Sequence, residues 1–350
     1  MSGVVNYRPA PDRVAAMPAA DRREICGQAI AFAAGARVAN HHPIAADLLG
    51  PGVELPFADV VAALKLNGVA AAFTSNDLTS TITEGLHHIV LDRLRERGEP
   101  EHRALVRPIQ VQDFTTQGIA RHHPITVGPL DEFGEIEQTP VKLGFASLRV
   151  APVGAIATFS RESTVNGDWG LLANVADELI DAAYRHERAA TMALLESNPV
   201  LDDGVALFSE ARGNDLTWES HLTALDAMSA ALRKMGSQST GGVLAGPGSA
   251  LSLVGSVLAV PAEQEISAHV VRVAADLKIE IVGDPDLTSW YLLPRPTLRA
   301  VVGLAHLGRL TPTVDSARDF DSDNFAIRVR HDYGLGIVSP FAVRATPAAA

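Results

Sequence analysis

Apolar positions along the chain fall into two rhythms, one near 3.6 residues and one of two. Residues 21–37 form the first helical stretch, opened by Asp21, with Ile25, Ala29, Phe32 and Ala33 on one face. A break at Pro43, Gly50, Pro51 and Gly52 precedes a short helix at 57–67 carrying Val60, Val61 and Leu64. Ser75, Asn76 and Asp77 then offer N-caps to a helix whose stripe is Leu78, Ile82, Leu86, Ile89, Val90 and Leu94. Gly98 suits its end. The strongest helical pattern spans 169–196, capped by Asp168, with Leu172, Val175, Ala176, Leu179, Ile180 and Ala183 inward. Arg185, His186, Glu187 and Arg188 read there as a solvated or interface face, and Asn198-Pro199 ends the helix. Further helices are predicted at 217–235 and 263–276.

Between these lie extended stretches. Val106, Ile109, Val111 and Phe114 mark one. Residues 119–160 predict a long β-hairpin, with flanks near 123–130 and 141–160 and an acidic tip of Asp131, Glu132, Glu135 and Glu137. Such a hairpin buries little of itself, so it is expected to lie on another surface, that of another subunit. Short strands follow at 279–282, 290–293 and 300–304. Residues 325–333 alternate cleanly, and 334–343 supply one more strand. There is no βαβ rhythm and no internal repeat, so the class is α+β.

Composition narrows the function. The chain has 350 residues, 41 acidic against 29 basic, a net charge of −12, and 47% apolar residues, a globular balance. Of the basic residues 25 are Arg and four are Lys (Lys65, Lys142, Lys234, Lys278). With no basic block, phosphate neutralisation on nucleic acid is not expected. Cys26 is the one cysteine, which excludes an internal disulfide and fits a reducing compartment. Residues 1–20 lack the apolar stretch of a signal peptide, and no apolar run reaches the roughly 18–20 residues of a membrane span.

Candidate chemistry is weak. His-His-Pro-Ile stands at 41–44 and again at 122–125, and His87-His88 forms a third doublet. Adjacent residues on a strand face opposite ways, whereas zinc wants about four converging ligands, so polar turns are the better reading. Gly236-Ser-Gln-Ser-Thr-Gly-Gly lacks the lysine of a phosphate loop. No G-x-S-x-G elbow is present. Asp202-Asp203 and Asp284/Asp286 are candidate acid/base carboxylates, of which Asp284-Pro-Asp286 reads instead as a turn, and Asp319, Asp321 and Asp323 lack the glycine and distal Glu of a calcium loop. No catalytic residue, cofactor site or metal site is assigned.

Several segments, in order, resemble the major capsid protein of tailed bacteriophages, in particular the capsid module found fused behind a ClpP-like prohead protease. They are Ala72-Phe73-Thr74-Ser75-Asn76-Asp77-Leu78, Gln112-Asp113-Phe114 and Ala157-Thr158-Phe159-Ser160-Arg161-Glu162 with Asn166-Gly167-Asp168. Leu194 to Pro199, Asp203 to Phe208, Trp290-Tyr291-Leu292 and Arg328 to Gly334 continue the series. The resemblance covers about 71–346. It lacks the protease, and residues 1–70 fall outside the shared core.

The resemblance implies the phage major capsid fold, shared with encapsulins. Residues 1–70 would be a helical extension and 71–118 an N-terminal helix and N-arm. Residues 119–160 would be the E-loop hairpin. Residues 161–214 with 319–350 would form the peripheral domain with its long spine helix, and 215–318 the axial domain. The implied function is a structural subunit, not an enzyme. It would assemble through hexamers and pentamers into an icosahedral or prolate head around double-stranded DNA, held without sequence-specific contact. Implied partners are other copies of the chain, a portal protein, a scaffold or protease, and decoration proteins; no membrane is implied. Assembly would occur in the host cytoplasm. Expected inter-subunit contacts pair Glu132, Glu135 and Glu137 with Arg185 and Arg188, and include Lys142, the only lysine of the hairpin; the scarcity of lysine argues against the covalent Lys–Asn cross-linking of some relatives. Alternatives are an encapsulin-like compartment and, from another class, a metal-dependent hydrolase built on the His-His-Pro-Ile pairs. In a container for DNA an acidic lining is useful, because it does not grip the phosphates. Isolated subunits are accordingly expected to show no appreciable DNA affinity at physiological salt in an anisotropy titration, and tight binding would contradict this reading of the charge.

Overall fold

The computed structural model describes residues 18–33, 97–122, 143–159, 169–235, 250–318 and 324–348, with isolated positions between 38 and 95. Two compact units divide the chain. One comprises Met1–Gly98, Val153–Tyr184 and Pro312–His331; the other comprises Glu99–Pro152, Arg185–Thr311 and Asp332–Ala350. Among the described residues no helix is long and apolar enough to cross a membrane.

The first unit holds α1 (Ala19–Ala33), in which Ile25, Cys26 and Ala29 are buried. The long helix α2 (Trp169–Glu196) begins here and ends in the second unit. Ala176, Ile180 and Ala183 form its buried stripe, as the 3.6-residue spacing requires. Strand β10 (Thr313–Arg318) pairs antiparallel with the first half of β11 (Phe325–Ile337), Thr313 opposite Arg330 through Arg318 opposite Phe325. Ile327, Val329 and His331 are buried while Arg328 and Arg330 are exposed, the period-two alternation of a half-buried strand. Asp315 and Arg328, directly opposite, form a surface ion pair at 2.8 Å. Strand β4 (Ala151–Phe159) also pairs with β11.

The second unit is built on two sheets and a hairpin stem. One sheet has the order β5–β12–β8–β6–β7. Its strands are β5 (Asp215–Trp218), β6 (Gly255–Pro261), β7 (Glu280–Asp284), β8 (Trp290–Pro294) and β12 (Val343–Pro347). Helices α3 (His221–Lys234) and α4 (Glu265–Ala274) pack on it, and Leu225, Met228, Leu232, Leu258, Val260, Ala268, Trp290, Leu292 and Val343 share one core. Ser220 caps α3, its side chain accepting from the Thr223 amide. The other sheet sets β1 (Val106–Val111) parallel to β9 (Val302–Leu307), and β9 antiparallel to the second half of β11. The stem is β2 (Gln117–His122) paired antiparallel with β3 (Leu143–Leu148), Gln117 opposite Leu148 and His122 opposite Leu143.

Several expectations shift. The chain from 141 to 160 is not one flank of the hairpin: β3 ends at Leu148, and β4 leaves the stem to pair with β11. β11 runs unbroken through Gly334 and Gly336, where two strands were expected. These glycines do not end the strand; they let another backbone come close. A Cβ at Gly334 would collide with the Arg149 carbonyl, and one at Gly336 would meet a Leu148 methyl at 2.5 Å. β12 was expected with 161–214 but joins β5 and β8 instead. β9, expected in the 215–318 body, pairs with β1 and β11. The predicted helix at 57–67, the caps at 75–77, the hairpin tip and 236–249 lie outside the described residues.

Candidate functional site

The turn that closes α2 is locked by two asparagines. Asn198 adopts φ 45°, the left-handed conformation that stops a helix and that Asn tolerates better than most residues. Its side chain accepts from the Phe208 amide at 2.7 Å and donates to the Phe208 carbonyl at 2.9 Å. Asn214, fully buried, donates to the carbonyls of Leu207 and Ala342, both at 2.8 Å, and accepts from the Ser209 amide. Arg212 donates to both oxygens of Asp203 and to the Ala206 carbonyl. Asp202 accepts from the Phe145 amide at the base of the hairpin stem. Asp203 thus closes its own loop, and Asp202 ties that loop to β3.

A buried charge cluster holds the second half of α2. Glu187 is completely buried. Arg103 meets it in a two-pronged contact, Nε on Oε1 at 2.8 Å and Nη2 on Oε2 at 2.9 Å, and its Nη2 also donates to the Leu310 carbonyl. The His102 ring nitrogen lies 2.9 Å from Oε1. His102 and Arg103 come from a 3-10 turn, Glu101–Leu105, that leads directly into β1. A carboxylate buried without such partners would cost several kcal/mol. Beside the cluster the Tyr333 hydroxyl and His186 Nδ1 stand 2.6 Å apart. Burial, aided by the negative charge of Glu187, pushes the Tyr333 phenol up to about 12.

The expected contact residues are placed as follows. Glu132, Glu135, Glu137 and Lys142 lie outside the described residues. Arg185 is exposed on α2. Arg188, in the same chain, forks onto Asp284 at 2.6 Å and Asp286 at 2.9 Å, and the Asp284 hydrogen bond raises its hold on its proton. The Asp286 amide donates to Asp284, so Asp284-Pro-Asp286 is a turn, one that also grips α2. Among the described residues no group of three His, Cys, Asp or Glu side chains could hold a metal ion. His88 lies 3.8 Å from Glu84 one turn away; His41, His42, His87, His123, Asp319, Asp321 and Asp323 lie outside the described residues.

Glu187 was read as part of a solvated or interface face; the structure buries it. The signal was in the spacing. Ile180, Tyr184, Glu187, Thr191 and Leu195 continue one stripe at steps of three and four, and all five are buried.

Residues 146–346 match the family model described as "Phage capsid protein". The chain belongs to the phage capsid protein family. It is a structural capsid subunit of the tailed-phage type, a component of the virion. No curated protein matches the chain. Among solved structures, the capsid of a native gene transfer agent particle, titled "Capsid of native GTA particle computed with C5 symmetry", superposes with a TM-score of 0.50 at 11% identity, over 71% of this chain and 90% of that one. That likeness concerns the fold. Proteins titled "Mycobacterium phage Bobi" (TM-score 0.48, 11% identity, 71% and 90% covered) and "Capsid structure of the Cyanophage P-SCSP1u" (0.48, 8%, 71% and 88%) are similar as well.

Two outcomes test the cluster. Glu187→Leu removes the carboxylate that Arg103 meets with two hydrogen bonds, and is expected to cost about 3–5 kcal/mol in denaturant unfolding. Adding Arg103→Met should recover most of that loss, because an apolar pair of similar volume replaces the ion pair. Between the ordinary phenol value, about 10, and about 12, the unfolded chain gives up a proton that folded Tyr333 keeps, so stability falls with rising pH across that window. Tyr333→Phe should make this alkaline loss shallower in pH-dependent melting.

Proposed function

We propose that this capsid subunit assembles by heterologous contacts into rings of five and six copies, which close into a shell around double-stranded DNA. In this reading the hairpin that rises from the β2–β3 stem reaches over a neighbouring subunit. The sheet of β5, β12, β8, β6 and β7 with α3 and α4 is assigned to the axial domain, and α2 and the β10–β11 pair to the peripheral domain. The observation that carries the proposal is the hairpin stem. β2 and β3 pair in register, yet the stem presents apolar side chains to solvent: Phe145 is 60% exposed, and Phe114, just before β2, is 45% exposed. Ile156 on β4 is 65% exposed. A single chain gains nothing by exposing these side chains, whereas a neighbouring copy would cover them.

Obligate interfaces of this kind bury more than roughly 2,000 Å² in total. The acidic tip, Glu132, Glu135 and Glu137, is assigned to an arginine-bearing surface of the neighbour. Arg185 and Arg188 are the assigned partners, and Arg188 also grips Asp284 and Asp286 in its own chain. Portal, scaffold or protease, and decoration proteins complete the partner set, and assembly takes place in the host cytoplasm.

Electron microscopy of the purified chain and of a variant lacking residues 128–140 tests this. The complete chain is expected to give closed shells and the variant only capsomers or monomers; normal particles from the variant would sink the hairpin's role.

A further inference from the structure

Helix α4 carries an apolar ridge on its outer side. Ile266, Val270 and Val273 stand at i, i+4 and i+7 and are 80%, 63% and 70% exposed. The opposite side, Ala268 and Val271, is buried against the sheet. Single exposed aliphatics are ordinary on a protein surface, but three aligned on one short helix leave a continuous apolar strip in water.

We propose that this ridge docks on the outer face of α3 of a neighbouring copy of the chain, an inference that rests on the shell reading and names one of its contacts. Two features single out α3. Its exposed face offers Thr223, Ala227 and Ala230, also at i, i+4 and i+7, a shallow furrow that bulky side chains can enter as ridge into groove. Charge then sets the direction. On α4 the outward charge is Glu263, exposed just before the helix; Glu265 packs against Gly283 and Arg272 turns back to the Ile279 carbonyl. α3 has Glu219 before the cap and Asp226 in the second turn, then Arg233 and Lys234 in the last. Antiparallel docking sets Glu263 against Arg233 and Lys234. Parallel docking would set Glu263 against Glu219 and Asp226, a repulsion that rejects that orientation. The charges fix the register and the ridge supplies the apolar burial.

The test compares the complete chain with Val270→Glu. Val270 is exposed, so the variant is expected to keep the circular dichroism spectrum and melting curve of the parent. Under assembly conditions its yield of particles by light scattering is expected to fall about tenfold or more, because a carboxylate would be buried unpaired at the contact. Loss by Glu263→Lys and recovery on adding Arg233→Glu would identify α3 as the partner. A Val270→Cys, Ala227→Cys double variant should form covalent oligomers in assembled particles, since the one native thiol, Cys26, is buried. Wild-type yield from Val270→Glu, or no cross-link in particles that do form, overturns this contact and leaves the shell reading standing. Failure of the parent chain itself to assemble overturns both.

Discussion

One buried carboxylate organises the second unit. Glu187 sits where water cannot reach it, in the middle of the longest helix among the described residues, and it is tolerated there because Arg103 and His102 arrive together on one short turn. The same Arg103 donates to the Leu310 carbonyl, so a single guanidinium ties the helix to the chain just after β9. The turn's last residue, Leu105, is itself fully buried and leads straight into β1, which pairs with β9 along its whole length. Moving any one of these pieces would strand a charge. Buried ionic groups contribute little net stability compared with an apolar core, but in this unit they leave one arrangement open to the chain.

The remaining buried polar groups work in the same way. Asn198 and Asn214 satisfy backbone groups across the loop from α2 to β5, and Arg344 holds Asp215 with two hydrogen bonds while its guanidinium lies over the Phe208 ring. A shell subunit needs this rigidity. Contacts around a ring close only if each copy presents its surfaces at a fixed angle, since small errors add with every neighbour. The apolar side chains on the hairpin stem, on β4 and on α4 stand outside these locked regions, as surfaces awaiting a partner do.

Much of this was legible in the residues. The 3.6-residue stripe of 169–196 gave the long helix with its observed ends, and the alternation in 325–333 gave the first half of β11. The ordered motifs between 71 and 346 pointed to the family that the match over 146–346 establishes. What escaped was decided by tertiary contact. β6 is central and buried on both faces, so it shows no alternation and followed a Gly- and Ser-rich run that reads as a connector. Gly334 and Gly336 look like strand breakers until Arg149 and Leu148 are seen against them. Glu187 carries a charge, and its place on the buried stripe was outweighed by the charged residues on either side of it.

The central claim is that the chain is a shell subunit whose exposed apolar surfaces are covered by neighbouring copies. A cryo-electron microscopy reconstruction of particles assembled from the full chain tests it most directly. The account predicts rings of five and six copies, with the β2–β3 hairpin lying across an adjacent subunit and Phe145 and Val270 both buried at contacts between copies. Particles in which the hairpin folds back on its own subunit and these side chains remain in solvent would contradict it.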